Sequence, residues 1–163
     1  MVETDHVDYR RNFKLKDYKS ILKKVTGIYA SACLRLLFDE KAPLSTKQIA
    51  DKLGLSQSTV TTVVTGRLVK DALVSYKKYS KVSLTEKGED TAKEHHRHHR
   101  LLEVFLVKEL GISKEEACKE AERLMHSVSC ETVNRICKKY DHPEQCPCQR
   151  TIYSSMQCQC EKK

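Results

Sequence analysis

Three observations predict a mainly α chain in which a winged helix-turn-helix is followed by a helical domain. Leu44 to Val60 sets a short amphipathic segment, a glycine and a second hydroxyl-capped segment in immediate succession. Two short β-prone runs, Leu73 to Tyr76 and Lys81 to Leu84, then flank a basic link. Thr85, Ser113 and Ser129 each stand at the head of a further helical stretch, so three more helices fit before Tyr140.

Residues 1–25 are rich in Lys, Arg and Asp and read as a basic extension, able to turn helical from about Leu15. Ile28, Ala32, Leu34, Leu36 and Leu37 mark a first core helix over 28–38, which Pro43 separates from the next one. Ser45 or Thr46 caps that next helix, whose buried face is Ile49, Ala50 and Leu53. Gly54 supplies the positive φ of a tight turn, Leu55 plugs the core, and Ser56 caps a second helix running to about Asp71. Such a second helix is the one that enters the major groove. Lys77, Lys78, Tyr79 and Ser80 join the two strands into a wing. Thr85, with Glu86 in the first turn, opens a helix that Gly111 stops. Ser113 with Glu116 forms a capping box, and Ser129 caps a last helix before a Pro- and Cys-bearing tail. The resulting division is an extension (1–25), a winged helix-turn-helix (26–86), a helical domain (87–142) and a cysteine-rich tail (143–163).

Lys and Arg outnumber Asp and Glu by 30 to 22, a formal charge of +8, which favours a polyanionic partner. Double-stranded DNA fits the motif order. Ser56, Gln57, Ser58, Thr59, Thr61, Thr62 and Thr65 would face the bases, and Lys47, Arg67, Lys70, Lys77, Lys78 and Lys81 the phosphates. The competing reading is an ordinary solvated helix face, but threonine is a mediocre helix former and this many together ask for a reason. No apolar run spans a membrane and the N-terminus has no signal-peptide core, so a cytoplasmic protein without membrane attachment is expected. Neither a nucleophile beside a base nor a phosphate-cradling loop is evident, so no enzyme is expected. In that compartment the eight cysteines, six of them from Cys130 onward, read as metal ligands in place of disulfides.

The runs Ile49 to Val60, Asp71 to Val74 and Val82 to Gly88 resemble the DNA-binding half of the diphtheria-toxin-repressor and manganese-transport-regulator (DtxR/MntR) family of metal-dependent transcriptional regulators. His98 to Leu106, Leu110 to Ile112, Glu116 to His126 and His142 to Pro147 resemble its dimerisation region, and together the match covers roughly residues 28–152. The resemblance implies a homodimer reading a palindromic operator with a divalent metal as corepressor. It also implies one extra residue between Ser58 and Leu73, to be absorbed by a bulge or shifted turn, and because the chain stops soon after the dimerisation region, the C-terminal barrel domain of some members is expected to be absent.

His99 and Glu103 share one helical face, and Cys118, Glu122 and His126 share another. The resemblance makes His99, Glu103, Glu122 and His126 ligands, with Cys118 where some members carry histidine. It also sets Met125 where a glutamate ligand is usual and Tyr29 where Asp or Met is usual. His95, His96 and His98 read as a solvated face. Cys146-Pro147-Cys148 and Cys158-Gln159-Cys160 offer four thiolates for zinc or an iron–sulfur cluster, with Cys130 or Cys137 able to replace one. A tail of free thiols is the plain alternative, and in the tail Cys148 replaces the family's usual histidine. The expected cofactor is therefore a divalent transition metal (iron, manganese or zinc) or an iron–sulfur cluster. The functional expectation is a metal-responsive repressor. Its rivals are a constitutive DNA-binding protein with a structural metal and a metal-binding protein without DNA affinity.

Overall fold

The computed structural model describes residues 15–155, and for residues 15–25 the backbone course alone. Residues 1–14 of the expected basic extension, and Cys158 and Cys160, lie outside the described residues.

Helix α1 (Leu15–Glu40) is much longer than the segment its apolar residues mark. Its buried stripe is Ala30, Cys33, Leu34 and Leu37, while Ile28 is 40% exposed, so the core-facing side is rotated from the one the sequence suggests. Helix α2 (Thr46–Leu53) starts at a Ser45–Gln48 capping box and ends at Gly54, whose φ of 64° is the left-handed value a side chain resists. Helix α3 (Gln57–Val63) starts where the Ser56 hydroxyl accepts the Thr59 N–H at 3.1 Å. It does not continue regularly to Asp71. A π-helical turn, Val64–Leu68, comes next, with Val69 N–H donating to Val64 O at 2.9 Å. A π turn accommodates one residue more than an α turn. It lies in the stretch where the extra residue is expected and keeps Val64 and Leu68 fully buried.

The wing strands β1 (Val74–Ser75) and β2 (Ser83–Leu84) are antiparallel, with Val74 opposite Leu84. They are shorter than expected because Val82 bridges to Leu44, not to β1, while the Ser80 hydroxyl bonds Lys77 to hold the loop. Leu44 and Val82 exchange backbone hydrogen bonds of 3.1 and 2.7 Å, anchoring the wing to the start of α2.

Helix α4 (Glu86–Leu110) is capped by Thr85 and stopped by Gly111 at φ 65°. Helix α5 (Lys114–Leu124) has the Ser113–Glu116 capping box, and α6 (Cys130–Lys139) begins at Ser129. Two hydrophobic clusters result. The first unites α1, α2, α3, the wing and Ala92 of α4. The second packs Leu101, Leu102 and Leu106 of α4 against Ala117, Ala121, Met125, Val133 and Ile136. The tail folds back as a small loop, Ile152 N–H donating to Glu144 O at 2.7 Å. Tyr153 meets Phe38 of α1 edge-on at 5.6 Å. Among the described residues no helix is long and apolar enough to cross a membrane.

Cys33 has no exposed surface, and its burial pushes the thiol up to about 11. A thiol raised this far holds about a hundredfold less thiolate, which alone slows alkylation by that factor. Native-state alkylation followed by mass mapping should therefore label the exposed Cys130 and Cys148 and spare Cys33. Equal labelling would mean that α1 does not pack as described.

Candidate nucleic-acid interface and metal centre

Helix α3 presents Ser56, Gln57, Ser58, Thr62 and Thr65 as exposed side chains, with Thr59 and Thr61 half-buried. Several hydroxyls are held by their own backbone: Thr61 donates to Gln57 O and Thr65 to Thr61 O, each at 2.8 Å. The Gln57 amide reaches the Thr46 hydroxyl at 3.4 Å, tying the start of α3 to α2. Lys47, Lys70, Lys77, Lys78 and Lys81 are exposed. A shallow depression lined by Thr61, Thr65, Val69, Tyr76 and Lys78 joins the helix to the wing, so the hydroxyl row and wing lysines form one surface. Arg67 is half-buried. Its guanidinium lies against Gly27 of α1 and 3.8 Å from Asp71.

The metal candidates gather where α4, α5 and the tail meet. The donor atoms of His99, Glu103 and Cys118 all lie within 4.8 Å of one another, as do those of Glu103, Cys146 and Cys148. Glu103 is common to both groups. His99 Nδ1 is 3.9 Å from Glu103 Oε1, and its Nε2 is 3.8 Å from Cys118 Sγ and 3.7 Å from Glu122 Oε2. Cys148 Sγ is 3.9 Å from Glu103 Oε1. Glu103 is 2% exposed, and its Oε2 has no hydrogen-bond partner. A carboxylate so buried is costly unless something positive joins it.

Electrostatics point the same way. Burial holds His99 below the usual imidazole range, outweighing Glu103 and Glu122, so the ring is the neutral base a metal requires. Cys118 is pushed up to about 11 by burial and then by Glu103, and Cys146 is raised for the same two reasons. A cation among these groups would replace the thiol protons.

Glu122 faces His99 but is also paired with Arg35 of α1, which keeps its carboxylate charged against the effect of burial. His126 is exposed and belongs to a neighbouring cleft with His95 and His98. Met125 packs in the second core and Tyr29 against the first. Of the expected alternatives to Cys146 and Cys148, Cys137 contacts His142 Nδ1 at 3.3 Å and Cys130 joins Glu94 and His98. Arg35 was not anticipated. Its only sequence signal is a charge set between Leu34 and Leu36.

The histidine run is not a solvated face. His96 and His98 are 5% and 8% exposed, because Tyr153 of the tail covers His96 and the start of α6 approaches His98. Burial, with Arg100 and Arg35 nearby, takes His96 down to about 3, and burial with Arg35 takes His95 to about 4.

A helix-turn-helix with a basic wing, joined by one long helix to a buried cluster of imidazole, carboxylate and thiol, is the layout of a metal-dependent transcriptional repressor. Residues 85–154 match the family profile described as the iron dependent repressor, metal binding and dimerisation domain. An HTH-type transcriptional regulator of Methanocaldococcus jannaschii is 33% identical over 98 residues, 60% of this chain and 78% of that protein. The HTH-type transcriptional regulator MntR of Lysinibacillus sphaericus is 35% identical over 101 residues, 62% of this chain and 71% of the relative. Among solved structures, a manganese-dependent transcriptional repressor in complex with manganese superposes with a TM-score of 0.70 at 34% identity, and ScaR with bound Zn²⁺ with 0.68 at 33%. Each aligns with 77% of this chain, which spans 59% of the solved chains' length. The chain belongs to the DtxR/MntR family of metal-dependent transcriptional regulators.

Proposed function

We propose that this protein is a homodimeric repressor that binds a palindromic operator in duplex DNA under control of a divalent metal held by His99, Glu103, Cys118, Cys146 and Cys148. The observation that carries this reading is the shared carboxylate of Glu103, buried and facing three thiols and an imidazole. A bound ion supplies the positive charge this donor set lacks. Thiol and imidazole donors favour zinc or iron(II) over manganese. The relatives solved with manganese and with zinc support a divalent ion in general. A mixed set with carboxylate and imidazole at its centre does not support an iron–sulfur cluster.

Glu122 connects the centre to the DNA-binding unit. Its Oε2 lies 3.7 Å from His99 while its Oε1 pairs with Arg35, so one carboxylate bridges the centre to α1. Arg35 belongs to α1, which packs directly on α2 and α3. A conformation favoured by metal thereby has a route to the recognition helix. A second subunit would set two such helices about 34 Å apart, one turn of duplex.

The test is selection from a random-sequence duplex pool with the full chain, then affinity measurement with zinc, iron(II) or manganese and after chelation. Metal should tighten binding at least about fivefold, the low end of common allosteric coupling. Equal affinity with and without metal would leave a constitutive DNA-binding protein. Absence of any salt-dependent duplex binding would refute the reading. In the same assay, replacing Lys77, Lys78 or Lys81 by glutamine should lower the slope of log affinity against log salt by about 0.9 for each phosphate left unneutralised, without changing sequence preference. An unchanged slope for all three would remove the wing from the interface.

A further inference from the structure

We infer that the chain carries a second, separate metal site, for zinc, made by Glu94 and His98 of α4 and Cys130 of α6. One oxygen of Glu94, a ring nitrogen of His98 and the sulfur of Cys130 all lie within 4.8 Å of one another. Glu94 and His98 are one helical turn apart on α4, with Oε1 and Nε2 at 3.3 Å. Cys130 is the first residue of α6, so its sulfur reaches them from a different element. Two of the three donors are thus fixed by one rigid helix and the third by the packing of another.

An unsatisfied nitrogen points to a ligand. His98 is 8% exposed, and its Nε2 is buried without a hydrogen-bond partner although the Glu94 carboxylate is at contact distance. This ring nitrogen lies between a carboxylate and a thiol, the place a zinc-ligating imidazole would take. Glu94 also meets Arg97 at 3.4 Å and Ser155 of the tail, so its carboxylate is held in place at this end of α4. The three residues border a cleft of about 840 Å³ that His95, His126 and Met125 also line, leaving room for water or a further donor in a fourth position. Thiolate, imidazole and carboxylate with an open position suit zinc. Manganese, magnesium and calcium prefer oxygen donors throughout.

The site is independent of the centre around Glu103. The two share no residue, and consecutive residues on a helix point about 100° apart, so His98 and His99 serve different faces of α4. Zinc binding here would release the Cys130 proton to solvent and form a zinc–sulfur bond, with no change of oxidation state. It would clamp the start of α6, and with it the segment of Met125 and His126, to α4.

The direct test is alkylation of Cys130 in the full chain, followed by mass spectrometry, with and without zinc. Zinc should slow the reaction at least about tenfold in the wild-type protein and lose that effect in H98A, since removing a ligand costs no less than the 10–100-fold typical of a ligand's supporting partner. Cobalt(II) titration gives a second readout. C130S should bind one ion fewer than wild type and keep the ion that E103Q loses. Circular dichroism melts would establish that both variants are folded, and C130S changes one exposed atom. Identical Cys130 alkylation with and without zinc, or unchanged cobalt stoichiometry in C130S, would overturn the inference. Either result leaves metal control through Glu103 untouched, because these measurements do not involve DNA.

Discussion

Replacing Glu103 by glutamine should remove the metal response while leaving the metal-free fold as stable as before, or slightly more so. The two halves of this expectation have opposite signs, which separates a ligand from a structural residue. Glu103 is the one residue common to both donor groups, so its loss disarms His99, Cys118, Cys146 and Cys148 together. Affinity for zinc should fall at least about a hundredfold, the upper end of what even supporting partners of ligands contribute. In the metal-free chain the side chain is buried and one oxygen is unpartnered, so the neutral amide relieves a desolvation cost. Differential scanning with and without zinc reads both effects. In a C130S background, which removes the second site, zinc at a hundred times Kd should stabilise the protein by about 2.7 kcal/mol, and adding E103Q should abolish most of that gain. A full metal-induced rise in Tm for E103Q would disprove the assignment. Cys118 should also become more reactive, since after burial the Glu103 carboxylate is what raises its thiol.

Gly88→Ala should destabilise the protein severely, although helix propensity alone predicts a gain of about 1 kcal/mol. Gly88 sits in the first turn of α4, where its N–H reaches the Thr85 hydroxyl at 3.1 Å. A Cβ there would stand 1.9 Å from Leu73 O and 2.9 Å from Leu73 C. Both are backbone atoms, and Leu73 O already accepts the Thr85 N–H at 3.1 Å, so neither can yield without detaching β1 from α4. The clash wins over propensity, with an expected loss of about 3 kcal/mol or more and a drop in Tm of about 10 °C. Gly66→Ala is the control. Nothing lies within 4 Å of that position and its φ is not left-handed, so the same substitution should be neutral or mildly stabilising. Similar melting of the two variants would mean that the α4–wing contact is looser than described.

The caps explain why so much of the fold is legible in the sequence. Ser45, Ser56, Thr85, Ser113 and Ser129, with Gly54 and Gly111, act within a few residues of themselves, and all seven take the roles their local patterns indicate. The buried stripe of α1 is not legible in the same way. Ala30 and Cys33 are weak apolar signals beside Ile28, and only the packing of α2 and α3 decides which side is covered. The metal residues are legible as spacings on single helices. How they divide is not, because it depends on where the tail returns. Cys146 and Cys148 meet Glu103 through a loop closed by the Ile152 N–H donating to Glu144 O, a relation no local pattern encodes. The Glu94–His98 spacing is open to the same reasoning as His99–Glu103. Its third donor, Cys130, counts with the tail by sequence when its place is at the head of α6.

The shared ownership of α4 by the two hydrophobic clusters has a mechanical consequence. Its 25 residues make a rod of about 37 Å at about 1.5 Å per residue, stiff along its whole length. A tilt of about 5° about Glu103, about 26 Å from the start of the helix on which the wing rests, would move that end by about 2 Å. On the proposed reading, α4 would thus carry a small movement at the centre to the wing as a rigid lever.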